Sequence, residues 1–578
     1  MRYELITGKT GLLQYLPELK RVKALAVDTE TTGLDPRVHR LRLVQLAGEG
    51  FPVLIIDCYT MQADGFPVLK EVLEGPNVKI FQNAKFDLQF FMALGIYPAP
   101  VFDTMLAGQL LRSSGGPARA NLAALAEHYL GEGVEKDEQT SDWCGGLREE
   151  QLLYAARDAE VLPRLRDKMI GDLYGNGLAE TARIEFSCVR AVAMMEYAGV
   201  LLDSGRWANL TARIERERDA ALDALRAYAG EPVSQLNLWG ESVVANHNFD
   251  SNQYVMELLR ANGIAIDSTS KRDLSAYSGH PLIQAVGAYR KAAKALSSFL
   301  YPIPRMVHIK TGRLHPRYGQ IGAWSGRMSC GGPNIQQIPR EAAFRECFVA
   351  PPGKKFIIAD YSQIELRVAA QISGDGRMTA AYRRGEDLHA LTASLVSEIP
   401  VSAVTKQLRQ AAKAVNFGLI YGMGAAGLQQ YSKQSYGVDM TLVQAEKFRE
   451  NFFRAYPGIA EWHRGVRNTK AAEGRTLTGR KFLFGDNSGM AGRYNTPVQG
   501  TAADIMKAAL GTLARQIAGT GVSVIAAVHD EIILEADECD AEAAAVMLKE
   551  IMESSGNALL KDVPCAADAS IADTWAGK

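Results

Sequence analysis

The spacing of apolar positions changes period several times along the chain, and the changes divide it. Over roughly the first 165 residues, short apolar runs alternate with stretches of helical period. KALAVDTE (23–30), LRLVQLA (41–47) and PVLIID (52–57) read as strands; NLAALAEHYLG (121–131) and QLLYAARDAEVLPRLRDKM (151–169) read as helices. Such alternation predicts an α/β domain over residues 1–165. From 166 to 310 the pattern is mainly helical and rich in Ala, Arg and Lys. From 311 to 578 strand and helix mix again. FIIADY (356–361) is strand-like, KQLRQAAKAVNFGLIYG (406–422) is helical, and VSVIAAVHDEIILEAD (522–537) reads as two strands around His529-Asp530. No fixed-period repeat and no low-complexity linker interrupts these regions.

A chain of 578 residues suggests three or four folding units. With 47% hydrophobic and 22% charged residues, no apolar run of the ~20 residues that cross a bilayer, and no signal-peptide pattern at the start, the expectation is a cytoplasmic protein without a membrane partner. Seven cysteines with no CxxC pair argue against a zinc ribbon and fit a reducing compartment. A formal net charge of −1 does not point to nucleic acid, but binding depends on where charge sits rather than on its sum.

Two sets of carboxylates carry the candidate chemistry. Asp28 and Glu30 end an apolar run two residues apart, so a strand presents both on one face. Asp87 follows in QNAKFD, and Tyr154 and Asp158 stand four apart on one helix face. Two-metal phosphodiester hydrolysis needs several acidic ligands and a group that orients water, which these five residues can supply. Each also has a plain structural reading, as a surface acid pair, a helix aromatic or a helix-surface charge. In the second set, Asp360 ends the FIIADY strand and Asp530 sits in the turn between two strands. Glu365 stands three residues after Ser362, the spacing of a capping box. Arg409, Lys413, Phe417 and Tyr421 recur every four residues and drift slowly along one helix stripe, basic in its first half and aromatic in its second. Such a stripe can hold a triphosphate and stack on a base, or simply be an amphipathic face with snorkelling cations.

The order of these segments resembles two known families. DTETTGLD, QNAKFD and YAARD, with Asp103-Thr104 between the last two, resemble the motifs of DnaQ-like 3′→5′ exonucleases, which have an RNase H-like fold. DYSQIELR, RQAAKAVNFGLIYG and VHDE resemble motifs A, B and C of family A DNA polymerases, the DNA polymerase I type. SGRMSCGGPNIQQIPR, NTPVQGTAADI and EFSCVRAVAMMEYAGVLLD resemble flanking segments of that family. The resemblance covers almost the whole chain and implies a multidomain α/β and α+β architecture. An RNase H-like exonuclease (1–165) would be followed by a right hand: a helical thumb and connection (166–310), then palm and fingers (311–578, fingers about 375–490).

It further implies template-directed DNA synthesis from dNTPs on a primer–template, with 3′→5′ exonucleolytic proofreading, by a monomer that serves DNA replication. Two Mg2+ per active site are implied, with Mn2+ as a substitute. Asp360, Asp530 and the Tyr361 carbonyl would be metal ligands in one site, and Asp28, Glu30, Asp87 and Asp158 in the other, where Tyr154 orients water. Glu531 would support the polymerase metals. Arg409 and Lys413 would contact the triphosphate, Lys413 also as an acid. Phe417 would stack on the nucleotide, and Tyr421 would hold the template-base position until the fingers close. Glu365 would exclude a 2′-hydroxyl. Arg327, Asn334, Gln336, Gln337, Arg340, Asn495, Gln499 and His529 would line the DNA or nucleotide, with Arg290, Lys291 and Lys294 on phosphates along the thumb. The chain starts at the exonuclease block, so no 5′-nuclease is expected; this layout looks phage-like. A helicase, single-strand-binding or processivity partner is compatible with it. Alternatives are a single-subunit RNA polymerase, a repair exonuclease with a polymerase-like DNA-binding half, and a non-catalytic DNA-binding scaffold.

Overall fold

A computed structural model describes residues 2–577 apart from 62, 134–140, 231–233, 237–241, 245–246, 470 and 486–487. The first domain is built on a six-stranded sheet. Its strands are β1 (Tyr3–Ile6), β2 (Ala24–Thr31), β3 (Leu41–Ala47), β4 (Val53–Asp57), β5 (Val78–Phe81) and β6 (Val101–Asp103), in the order β1-β4-β3-β2-β5-β6. β3 runs antiparallel to β2 and β4, and the remaining pairs are parallel. The period-two pattern of β2 decides what each face does. Leu25 and Val27 enter the core on one side; Ala26 enters the core on the other, beneath the helix Glu149–Gly175. Asp28 and Glu30 share the parity of Ala26, so the strand delivers both to the side where that helix lies.

The helix Glu149–Gly175 runs past residue 165. The domain boundary expected there therefore cuts a continuous helix, and the α/β unit extends about ten residues further. The next helix, Ala179–Ala198, is not part of a thumb. Val189 and Ala193 belong to the core of the first domain, while Cys188, Ala191, Val192 and Met195 belong to the core of the last. Each buried Val or Met contributes about 1.5–3 kcal/mol, so this helix joins the two domains by packing. Its approach to the helix Met490–Gln516 is close at Gly511, where an added Cβ would stand 2.3 Å from Ser187 Oγ.

The thumb proper has its own small core, with Leu225 on Ser204–Ala229, Leu259 on Asn252–Ala261 and Val286 on Pro281–Ala295. Beyond it lies a four-stranded antiparallel sheet in the order Ser523–Val528, Glu531–Asp537, Lys354–Tyr361, Ala567–Ala572. Helical fingers rise between residues 376 and 469. No helix among the described residues is long and apolar enough to cross a membrane.

Candidate active sites

In the first domain the structure brings together all five residues singled out from the sequence. Asp28 and Glu30 come from β2, Asp87 from the first turn of the helix Lys85–Ala93, and Tyr154 and Asp158 from Glu149–Gly175. Asp28, Glu30, Tyr154 and Asp158 line one open cavity. Thr29 Oγ1 donates to Asp87 Oδ1 at 2.6 Å, and the Tyr154 hydroxyl is hydrogen-bonded to Asp158. Burial, then repulsion from Asp158 and Asp87, pushes Glu30 up to about 9. The same causes raise Asp28 well above its ordinary value. Burial pushes Asp87 up to about 7 and Asp158 to about 6. Asp158 Oδ1 is enclosed without a hydrogen-bond partner. Hard oxygen donors that repel one another in a dry setting are the donor set of a divalent cation. Among the described residues no three such side chains are closed around one point, so the set is a crowded acidic cleft rather than a finished cage.

Asp103 has a different task. It caps the helix Thr104–Leu111 and accepts from the backbone N–H groups of Asn83, Ala84, Met105 and Leu106. It thereby ties the QNAKFD loop to the sheet edge and sets where Asp87 begins its helix.

The second site lies at the end of the four-stranded sheet. Asp360 pairs in register with Glu531, and the Tyr361 N–H donates to the Asp530 carbonyl at 3.2 Å. That bond ties the C-terminal end of the strand carrying Asp360 to the turn that carries Asp530. His529 takes a left-handed φ of 59° to make the turn. Glu531 points away into the protein: it accepts from Trp575 Nε1 at 2.6 Å and pairs with Arg345 at 3.4 Å, whose guanidinium stacks on Trp575 at 4.4 Å. Trp575 and Arg345 lie outside every motif read from the sequence, and nothing short of the fold could have joined them to Glu531.

Glu365 is not a capping-box residue. Gln363, in the left-handed region, caps the helix Ile364–Ser373, and no side chain caps it. The Glu365 carboxylate instead pairs with Arg327 and accepts from the Tyr421 hydroxyl. Burial and then the Glu365 charge hold that hydroxyl far above its ordinary range, so Tyr421 stays a donor. The helix Lys406–Ile420 ends just before Tyr421. Gly422 continues at φ 78°, where an added Cβ would meet the Tyr494 ring at 2.6 Å. Phe417, one turn earlier, lies 6.1 Å from the His389 ring and lines the cavity shared by Asp530, Glu365, Arg327, Gln336, Arg340 and His529. Arg409 pairs with Asp387 at 2.5 Å at the outer end of the stripe.

A buried network supports the loop that carries Arg327. Lys507 donates to the Gly326 carbonyl at 2.7 Å and to Glu185 at 2.5 Å; Arg480 binds Asp504 at 2.6 Å and also pairs with Glu185. All four side chains are at most 4% exposed. Glu185 and Asp504 stand in segments read from the sequence, but the four come from sequence-distant elements, and nothing local pairs them with Arg480 and Lys507.

Residues 208–577 match the family model described as DNA polymerase family A, and residues 3–173 match one described as 3′-5′ exonuclease. This chain belongs to DNA polymerase family A. The polymerase is 35% identical to DNA polymerase I of Aquifex aeolicus, across 100% of both chains. It is 33% identical to the thermostable DNA polymerase I of Thermus filiformis over 83% of this chain and 56% of the relative, and 32% identical to DNA polymerase I of Pseudomonas aeruginosa over 99% and 66%. A layout of this length thus occurs in a bacterial relative. Among solved structures it resembles the POL domain of Pol1 from M. smegmatis in complex with DNA primer-template and dNTP, with a TM-score of 0.79, 25% identity and full coverage of both chains.

The residues expected along DNA in this polymerase divide. Asn334 and Asn495 each leave an enclosed Oδ1 without a partner, and Gln336 donates to the Ala527 carbonyl at 3.2 Å. Asn495 and Gln499 stand four apart on Met490–Gln516, on the stripe that continues through Ala502 and Met506 into the cavity. Gln337 and Arg340 are exposed. Arg290 is a correction: its guanidinium donates to the Thr269 carbonyl at 2.9 Å and to Asn252 Oδ1 at 2.8 Å, so it fastens the thumb tip together. Lys291 and Lys294 remain on the surface, Lys291 paired with Glu341 at 3.0 Å.

Proposed function

We propose that this polymerase extends a primer at Asp360 and Asp530 and trims it at Asp28, Glu30, Asp87 and Asp158, serving DNA replication. The observation that supports the polymerase half is the Tyr361 N–H to Asp530 carbonyl bond, which joins the backbones that carry Asp360 and Asp530 at the end of the two central strands. Mg2+, with Mn2+ as a substitute, would be held there by Asp360, Asp530 and the Tyr361 carbonyl, and in the other site by the four carboxylates. Bound in pairs, such ions would polarise the attacking oxygen and stabilise the leaving one.

The side chains do the rest. Arg409 and Lys413 would hold the triphosphate, with Lys413 also serving as an acid toward the leaving group, and Phe417 would stack on the incoming base. Glu365 supports a deoxyribose and clashes with a 2′-hydroxyl. Tyr421 covers Glu365 until pairing displaces it, linking closure to a correct base pair. Arg327, Arg340, Asn334, Gln336, Gln337, Asn495, Gln499 and His529 face the duplex, where donors aimed at minor-groove acceptors check shape without reading sequence. Lys291 and Lys294 add a salt-dependent phosphate contact. In the exonuclease site Tyr154 orients the water.

A primer–template assay with Mg2+, with and without dNTPs, tests both halves. The primer should lengthen with dNTPs and shorten without them, and Asp360→Ala should end lengthening alone. Shortening under both conditions would leave only the nuclease. Glu365→Ala should reduce discrimination against ribonucleotides by about 10- to 100-fold, the scale of a lost steric contact; unchanged discrimination in single-nucleotide insertion would remove Glu365 from that role.

A further inference from the structure

We propose that the cavity between the exonuclease domain and the palm is a binding site for a small phosphorylated ligand of nucleoside monophosphate size, held by Arg190 and Arg515. The cavity measures about 800 Å³, within the usual range of small-molecule sites. Val78 and Phe102 reach it from the edge of the first sheet, Phe186 from the connecting helix Ala179–Ala198, and Leu559 from the palm helix Ala541–Leu559. It lies away from both sets of carboxylates and shares no lining residue with either active-site cavity.

The charges on its wall are unbalanced. Arg190 is 6% exposed, and its Nε is enclosed without a hydrogen-bond partner. Burial and then the charge of another cation, Arg515, lower its pKa, with Glu74 as the weaker attraction. Glu74 is engaged elsewhere, by the Tyr97 N–H at 2.8 Å and by Lys70 at 3.7 Å. Arg515 makes a 3.4 Å bond to the Thr512 hydroxyl. The other two arginines on the wall are paired, Arg166 with Asp167 at 3.0 Å and Arg183 with Glu180 at 3.7 Å. Lys79 lies fully buried nearby, its amine donating to the Gly75 carbonyl at 2.5 Å and to Asn77 Oδ1 at 3.1 Å, and burial and then Arg190 hold it down to about 7.

A buried guanidinium without a counter-charge is unfavourable, and a second, exposed one at the same cavity adds its repulsion. An anion in the cavity removes both penalties. Arginine pairs suit phosphate because their planar donor forks meet its oxygens two at a time. The remaining wall is mainly apolar, with the hydroxyls of Ser554, Ser555 and Thr512 among it. A ligand with one anionic group and an aromatic body fits that wall better than a polyanionic chain does.

The test is binding of deoxyadenosine monophosphate to the full chain in EDTA, by calorimetry, with inorganic phosphate and an oligoglutamate peptide as competitors. Saturable binding should appear, with inorganic phosphate displacing it. Arg190→Gln should raise the Kd at least about tenfold. Arg515→Gln, at an exposed position, should raise it several-fold with the fold retained, and it decides the matter if Arg190→Gln does not fold. Absence of binding at millimolar ligand would overturn the proposal. So would a Kd unchanged in both variants, a loss seen only in Asp28→Ala with Glu30→Ala, or a site that accepts the peptide and not the nucleotide.

Discussion

Two groups of buried carboxylates in this polymerase are treated in opposite ways. Glu185 and Asp504 are enclosed with Arg480 and Lys507, and every charge has a partner. Burial pushes Glu185 up, but Lys507 and Arg480 outweigh it and hold it below its ordinary value. Asp28, Glu30 and Asp158 stand half-buried on an open cavity beside the buried Asp87, yet each of the four is raised by burial, and Asp28 and Glu30 by their neighbours as well. Residue type is alike, and the deeper group is the one held ionised; the deciding difference is whether the fold supplies the cation. The first group is complete within the protein and serves to hold the Arg327 loop. The second finds no cation within the fold, the arrangement expected of a metal-dependent site.

If that contrast is right, removing carboxylates from the two groups has opposite consequences. Asp28→Ala with Glu30→Ala should abolish primer shortening, by about 10⁴-fold or some 5.5 kcal/mol of barrier, with extension and folding intact. A labelled primer incubated without dNTPs reads the loss; persistent shortening would move the chemistry elsewhere.

The paired group should answer through stability. Lys507→Met leaves Glu185 facing Arg480 alone and removes the donor to the Gly326 carbonyl, which should cost about 3–5 kcal/mol. Urea unfolding of the polymerase half would show it, and both extension and ribonucleotide discrimination should decline as the Arg327 loop loses its support. A loss below about 1 kcal/mol would mean that Arg480 carries the network unaided.

The same contrast explains what could be read from the sequence. Asp28, Glu30, Asp87, Tyr154 and Asp158 could be singled out because each stands in a short segment at a strand end or on a helix face, weak by itself, whose order resembles a known family, and the fold brings these segments together. Glu185, Arg480, Asp504 and Lys507 meet only after hundreds of residues have folded, and each looks locally like an ordinary charge. Glu365 failed in the other direction: its spacing from Ser362 imitates a cap, but the left-handed Gln363 starts the helix, and the freed carboxylate turns to Arg327 and Tyr421. The boundary at 165 failed because a helix that serves one domain gives no composition signal where the domain ends. Arg290 was misread because its neighbours in sequence are basic, whereas its partners, Thr269 and Asn252, lie in the folded thumb tip.

The smallest predicted effect is also the most direct measure of the missing cation. Glu30 is raised from an ordinary 4.5 to about 9, and Asp28 moves the same way. The folded state therefore holds protons that the unfolded chain releases between those limits. Stability is greatest below the unfolded value and falls as pH rises through the folded one. In EDTA the exonuclease domain should thus become less stable from about pH 5 to pH 9, and Mg2+ should flatten the decline. Asp28→Asn with Glu30→Gln should flatten it too, and should stabilise the metal-free domain at pH 8 by about 1–2 kcal/mol while leaving it without nuclease activity. Hydrogen exchange of β2 amides across that range separates this domain from the rest of the chain. A slope that the double variant leaves unchanged would show that these carboxylates are relieved by water rather than waiting for an ion.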